Sequence, residues 1–375
     1  MTETPDTAAV TPEGTDAPLD LLYSEAEEDL RAAVRSLLAD RADPRTLLAR
    51  IEGGDPYVPG LWDALAGGIG AAGLLVPEKL GGQGASHREA AVVLEELGRA
   101  VTPAPYLTSA VVATETLLAL GTDEGPVAEL LGALASGERT AVLAVPLSAA
   151  PDGGPSAEGP VPAVADATAA DVLLVPRADG LYAVPAAEAR ITPRVPLDLT
   201  RPLAVVDATG APGTRLAGPE EGRAAVRRGL LAGAGLLASE QLGLASWCLE
   251  ETVRHTKERH QFNRPVGSFQ ALKHRMAQLW LELVGARAAA RAAADALATG
   301  APDTELTVAV AQAYCAKVAV HAAEECVQLH GGIGMTWEHP AHLALKRAKS
   351  AQTALGSTGR HQDVIAALVD LPAPA

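Results

Sequence analysis

The chain has 375 residues, 48% of them hydrophobic and 20% charged. That is enough for two or three domains at roughly 100–200 residues each, and it excludes a chain disordered throughout. The formal net charge of −16 argues against sequence-independent binding to DNA or RNA, which depends on Lys and Arg neutralising phosphates.

Residues 1–20 carry five acids and no base and read as a disordered acidic tail, with neither the basic start nor the apolar core of a signal peptide. Ser24-Glu-Ala-Glu27 is a capping box, followed by Leu30, Val34, Leu37 and Leu38 at helical spacing. Trp62 falls on a short helix. Leu74-Leu-Val-Pro-Glu-Lys-Leu-Gly-Gly-Gln-Gly84 is rich in turn residues, and Ser86-His-Arg-Glu89 caps a helix that stops near Gly98. Thr102-Pro-Ala-Pro105 breaks the chain before more helix to about Leu134. An N-terminal all-α domain over 21–138 is expected.

Composition shifts near Thr140. Val172-Leu-Leu-Val175, Leu181-Tyr-Ala-Val184 and Leu203-Ala-Val-Val206 are short β-like runs between Pro and Gly, and Pro151 to Gly159 reads as a bare loop. This predicts a small middle β domain, a reduced β-barrel, over 139–217. From about Glu220 the chain is helical again, with Leu242, Ala245, Leu249 and Val253 on one stripe and Leu272, Met276, Leu279 and Leu283 on another. Those stripes predict a C-terminal four-helix bundle over 218–370. The fold class is α+β multidomain: helical, then β, then a helical bundle.

Three cysteines, Cys248, Cys315 and Cys326, give no disulfide framework and suit a reducing cytoplasm. No Cys/His cluster has zinc spacing, and His339-Pro-Ala-His342, the nearest His pair, shows no partners in the sequence, so no metal site is expected. No apolar run reaches the roughly 20 residues of a membrane helix.

Two segments carry chemistry: Arg259-His-Gln-Phe-Asn-Arg-Pro-Val-Gly-Ser-Phe-Gln270 and Gln328-Leu-His-Gly-Gly-Ile-Gly334. Between Arg254 and Arg275 six cations (Arg254, Lys257, Arg259, Arg264, Lys273, Arg275) face one anion, Glu258. An anionic ligand or a solvated helix end both account for that island. Both phenylalanines of the chain, Phe262 and Phe269, lie in the first segment. Core filling beside a helix start accounts for them more readily than a shaped site does.

The helical–β–helical order, these two segments, and Gly73 to Gly84 followed by Glu95-Glu-Leu-Gly98 resemble the acyl-CoA dehydrogenase family over nearly the whole chain after the tail. The resemblance implies FAD as cofactor and an acyl-CoA thioester as substrate. It places Arg259 on FAD phosphate across a subunit interface, a role that suits a forked guanidinium. It also places Gln261 and Phe262 beside the flavin, Gln270 at the start of a helix lining the same interface, and Gln328, Gly331 and Gly332 against the adenine-diphosphate part. Asn263 stands where the family has glycine, and Asn tolerates the left-handed region.

Two departures are equally informative. The family's reaction needs a carboxylate that removes an α-proton; its usual slot holds Leu355, and the alternative slot near Ala232 to Ala234 holds only Ala and Gly. No catalytic base is therefore identified. Ala144-Val-Pro-Leu-Ser148 and Pro151-Asp-Gly-Gly154 replace the family's flavin-ring and thioester segments. The pattern resembles actinobacterial heteromeric α2β2 members, in which a homologous partner carries the glutamate and this kind of subunit completes the FAD site. The resemblance further implies an electron-transferring flavoprotein as electron acceptor. Two other readings stay open: a self-sufficient flavoenzyme using His361 or Asp363, both placed on a solvated helix face, and a non-catalytic scaffold.

Overall fold

The structure, a computed structural model, describes residues 21–153 and 159–372. The acidic tail and the central part of the loop at 151–159 lie outside the described residues. Helices α1 (Glu25–Arg41), α2 (Pro44–Glu52), α3 (Leu61–Asp63), α4 (His87–Ala100), α5 (Thr114–Leu118) and α6 (Gly125–Ala135) come first. Both capping boxes form: Ser24 N–H donates to Glu27 (2.6 Å) and Ser86 N–H to Glu89 (2.9 Å), each glutamate's helix turn being capped in return.

Seven short strands follow: β1 (Ala141–Leu143), β2 (Val161–Ala165), β3 (Val172–Arg177), β4 (Gly180–Pro185), β5 (Arg190–Arg194), β6 (Leu203–Asp207) and β7 (Thr214–Ala217). The three β-like runs of the sequence fall on β3, β4 and β6. The expected barrel is corrected: the strands form two open sheets, ordered β1-β3-β4-β7 and β2-β6-β5. Strands of three to six residues are short, and no ladder joins one sheet to the other among the described residues. Instead the sheets bury one small core of their own, including Val142, Leu173, Val175, Val164 and Val206.

The last part holds three long helices, α7 (Pro219–Glu258), α8 (Gln270–Thr299) and α9 (Thr304–His330), then α10 (Ala341–Ala351) and α11 (Thr358–Leu368). The fourth position of the bundle is thus divided, and the division carries Leu355. The stretch Thr304–Met335 is long and apolar enough to cross a membrane, but 67% of its apolar window is buried inside the fold.

Two features fix the domains against one another. A Cβ on Gly98 of α4 would stand 2.0 Å from the Glu240 carbonyl oxygen, and one on Gly243 of α7 1.8 Å from that of Glu95. The crossing of α4 and α7 therefore requires glycine on both helices. Beside it, Arg347 of α10 donates to Asp198 Oδ2 (2.6 Å), the Thr200 carbonyl (2.8 Å) and Glu240 Oε1 (3.2 Å), while Arg201 forks onto Glu240. All four charged groups are buried, so bundle and middle domain are joined by an ionic cluster with its charges paired.

Candidate cofactor site

Helix α7 is capped by Arg259, whose N–H still bonds the His255 carbonyl (2.9 Å) while its own carbonyl accepts from Val266 N–H (2.8 Å). Between those bonds the chain makes a hairpin, β8 (His260–Gln261) and β9 (Arg264–Pro265), with Gln261 paired to Arg264. Phe262 (φ 51°) and Asn263 (φ 61°) form its two-residue loop in the left-handed region, the geometry of a tight hairpin turn. Asn suits that position; an aromatic residue there is an outlier.

Phe262 is 86% exposed at the tip, so the core-filling expectation fails for it. Its ring meets Phe269 edge-on (6.0 Å), and Arg264 lies over Phe269 at 3.8 Å. These contacts stiffen a hairpin that points outward. Of the six cations, Arg254 pairs with Glu251 and Glu258, and Arg275 with Glu325. Lys257, Arg259 and Lys273 make no side-chain bond among the described residues, so the free positive charge centres on Arg259. Gln270 is the exposed first residue of α8.

The second segment ends α9. Gln328 is exposed, and Gly331 (φ 64°, ψ −138°) adopts a conformation open to glycine alone. A Cβ on Gly331 or Gly332 would meet nothing within 4 Å, so this backbone faces open space and is free to approach a ligand. The two segments meet: the His330 ring, just before Gly331, lies 4.3 Å from that of His255, four residues before Arg259. A forked cation, an outward aromatic and bare glycine backbone fit the phosphate-and-adenine side of FAD in chemistry.

The base slot is different. Leu355 (φ 52°) is 4% exposed. Its N–H donates to the Leu147 carbonyl (2.7 Å), and its carbonyl lies 3.1 Å from His361 Nε2. The alternative slot converges on the same point: a Cβ on Gly233 would stand 3.1 Å from Leu355 Cδ1 and 2.5 Å from Val112 Cγ2. Both positions that the resemblance assigns to a carboxylate are filled with hydrocarbon.

The middle-domain segment that should face a flavin is closed as well. Ala144 N–H bonds the Leu174 carbonyl, Val145 N–H that of Leu143, and Leu147 N–H that of Ala163. These donors are satisfied within the chain.

The two candidate bases separate. Asp363 is exposed, as expected. His361 is not on a solvated face: it is 3% exposed, packed behind the Leu355–Gly356 turn, where a Cβ on Gly356 would stand 2.8 Å from its Nε2. Burial lowers its pKa below the ordinary imidazole range, against the pull of the Leu355 carbonyl.

Comparison with known proteins agrees with this architecture. The model of the acyl-CoA dehydrogenase N-terminal domain matches residues 24–138 and that of the C-terminal domain residues 220–369. Acyl-CoA dehydrogenase IpdE2 of Mycolicibacterium smegmatis is 37% identical over 334 residues, 89% of this chain and 95% of the relative. Among solved structures, a variant of the Tcur3481-Tcur3483 steroid ACAD superposes with a TM-score of 0.80 at 28% identity, covering 92% of this chain and 98% of that one. The ChsE4-ChsE5 complex from Mycobacterium tuberculosis shares the fold, with a TM-score of 0.82 at 24% identity over 95% and 100% of the chains.

Fold and family place the chain among FAD-dependent oxidoreductases acting on CH–CH groups. It belongs to the acyl-CoA dehydrogenase family.

Proposed function

We propose that this chain is the base-lacking subunit of a heteromeric, FAD-dependent acyl-CoA dehydrogenase. It lends Arg259, Gln261, Phe262, Gln328, Gly331 and Gly332, with the start of α8 at Gln270, to a flavin seated in a homologous partner that supplies the carboxylate. The observation that carries the reading is Leu355: the residue in the base slot is buried leucine, bonded onto the middle domain at Leu147. Leucine cannot accept a proton, and no space remains beside it for a carboxylate from Gly233.

Bound FAD supplies the hydride acceptor for the reaction. This chain's own part is to bind and orient. Arg259 offers two parallel N–H donors to a phosphate, Phe262 offers an aromatic face, and the glycines offer backbone N–H groups without side chains in the way. Exposed Trp280, Leu281 and Val284 on α8, with Val310 and Tyr314 on α9, support a protein partner on the bundle.

The paired names of the two structural relatives, one described as a steroid ACAD, support a heteromeric assembly and a bulky, polycyclic acyl-CoA thioester as substrate. An electron-transferring flavoprotein is the acceptor in this reading. The self-sufficient alternative loses support from His361, whose Nε2 faces the Leu355 carbonyl rather than a substrate space. The test is to purify the chain alone and with its co-expressed homologue and to assay acyl-CoA oxidation with an artificial acceptor. Activity confined to the pair is expected; full activity of the lone chain overturns the proposal.

A further inference from the structure

Behind the Gly331 turn, three residues that the sequence leaves unconnected come together. Glu251 of α7, His330 at the end of α9 and His339 before α10 place one ligand atom each within 4.8 Å of one another. Glu251 Oε1 lies 3.7 Å from His330 Nε2 and 3.6 Å from His339 Nε2. These separations are too long for hydrogen bonds. They are close to the spacing of about 3.3–3.5 Å that a tetrahedral ion with ligand bonds of about 2.0–2.1 Å imposes on its neighbouring donors.

The central imidazole is prepared for such a role. His330 is 5% exposed, and its Nδ1 stands 2.6 Å from the Cys326 carbonyl. That bond puts a proton on Nδ1, so the neutral imidazole directs its Nε2 lone pair at Glu251 and His339, the arrangement found when a backbone carbonyl orients a metal-ligating histidine. His330 Nε2 has no hydrogen-bond partner although it is buried, and an orphaned buried nitrogen calls for an explanation.

We infer that Glu251, His330 and His339 form a site for a borderline divalent cation of the Zn2+ class, held by two imidazoles and one carboxylate. Two imidazoles with one carboxylate match the donor preference of such ions, and a three-residue set leaves a coordination position for water or a further ligand. The ion ties the end of α7, the end of α9 and the loop before α10 at a point one residue from Gly331.

Two local bonds compete with it. Arg254, 55% exposed in its side chain, forks onto Glu251 and yields one oxygen. The Ala341 N–H donates to His339 Nδ1 (3.2 Å), and ligation through Nε2 moves the ring proton to Nδ1 and breaks that bond. Occupancy therefore depends on an ion strong enough to displace both contacts, which favours Zn2+, Co2+ or Ni2+ over Mg2+ or Ca2+.

The experiment is calorimetric titration of the chelator-treated full chain with Zn2+, alongside Co2+ titration read by visible absorption. Variants His339→Ala and Glu251→Gln are compared with His342→Ala and His321→Ala, histidines outside the set. One ion per chain is expected, with tetrahedral cobalt bands, and affinity at least about tenfold weaker in each ligand variant and unchanged in the two controls. Absence of stoichiometric binding overturns the inference, as does binding that survives in both ligand variants or falls equally in the controls. His330→Ala removes a buried side chain; if it fails to fold, the two half-buried ligands decide the matter.

Discussion

A Cβ placed on Gly233 would stand 3.1 Å from Leu355 Cδ1. The two positions that the family resemblance assigns to a carboxylate thus share one spot, and Leu355 with Val112 occupies it. If the proposed base-lacking role holds, one substitution at Leu355 does not restore a complete site. Leu355→Glu would bury a carboxylate in hydrocarbon, at a left-handed residue, for a cost of about 2–5 kcal/mol. The lone variant is expected to unfold at lower temperature than the parent and to show no acyl-CoA oxidation. Turnover by the lone variant would show that the home site is open.

In the proposed pair, Arg259 would bear on the shared flavin. Charge-assisted hydrogen bonds contribute about 1.5–3 kcal/mol, so Arg259→Ala is expected to weaken FAD binding by the co-expressed pair roughly 10- to 100-fold. Arg259→Lys restores the charge but not the fork and should recover only part of the affinity. Flavin retention on dilution, followed by fluorescence, distinguishes the three proteins.

Gly331 and Gly332 are predicted to differ. Alanine meets no atom at either place, but Gly331 has φ 64° and ψ −138°. Gly331→Ala should therefore cost about 1–3 kcal/mol in backbone strain, visible as a lower denaturation midpoint without any ligand. Gly332→Ala should leave that midpoint nearly unchanged and act only on flavin binding. Equal midpoints for the two variants would remove backbone strain as the reason for the first glycine.

The Arg347 cluster is a stability element. Arg347→Ala leaves Asp198 and part of Glu240 buried beside an empty space, and breaking such a pair costs about 3–5 kcal/mol. Urea unfolding should show that loss, and Asp198→Asn in the same background should recover some of it by removing one uncompensated charge.

His361 sets a pH dependence. Its folded-state pKa is lowered by burial, so the unfolded chain binds its proton first as pH falls. The contribution is complete above the unfolded value near 6.5 and declines below it, by at most about 1.4 kcal/mol per pH unit. Between neutral pH and pH 5.5 the parent is expected to lose more stability than His361→Gln. Parallel pH profiles would show that the imidazole is not the group responsible.

Local signals in the sequence translated well. The capping boxes at Ser24 and Ser86, the β-like runs on β3, β4 and β6, and the start of α8 at Gln270 all depend on residues within a few positions of one another. The segments around Arg259 and Gln328 are legible as motifs, and the structure brings them together at His255 and His330. What escaped was long-range. The division of the middle domain into two open sheets depends on which strands pair, which short apolar runs do not specify. The burial of His361 depends on the turn at Gly356, and the exposure of Phe262 on a two-residue hairpin. The partners of His339 come from helices 88 and 9 positions away in sequence, so spacing alone could not reveal them.

The measurement that tests the central claim most directly is flavin per chain from the visible spectrum, for this protein purified alone and with its co-expressed homologue. The account predicts little flavin in the lone chain and one FAD for each pair of unlike chains, bleached by acyl-CoA. Stoichiometric flavin in the lone chain, reduced by acyl-CoA without a partner, would contradict it.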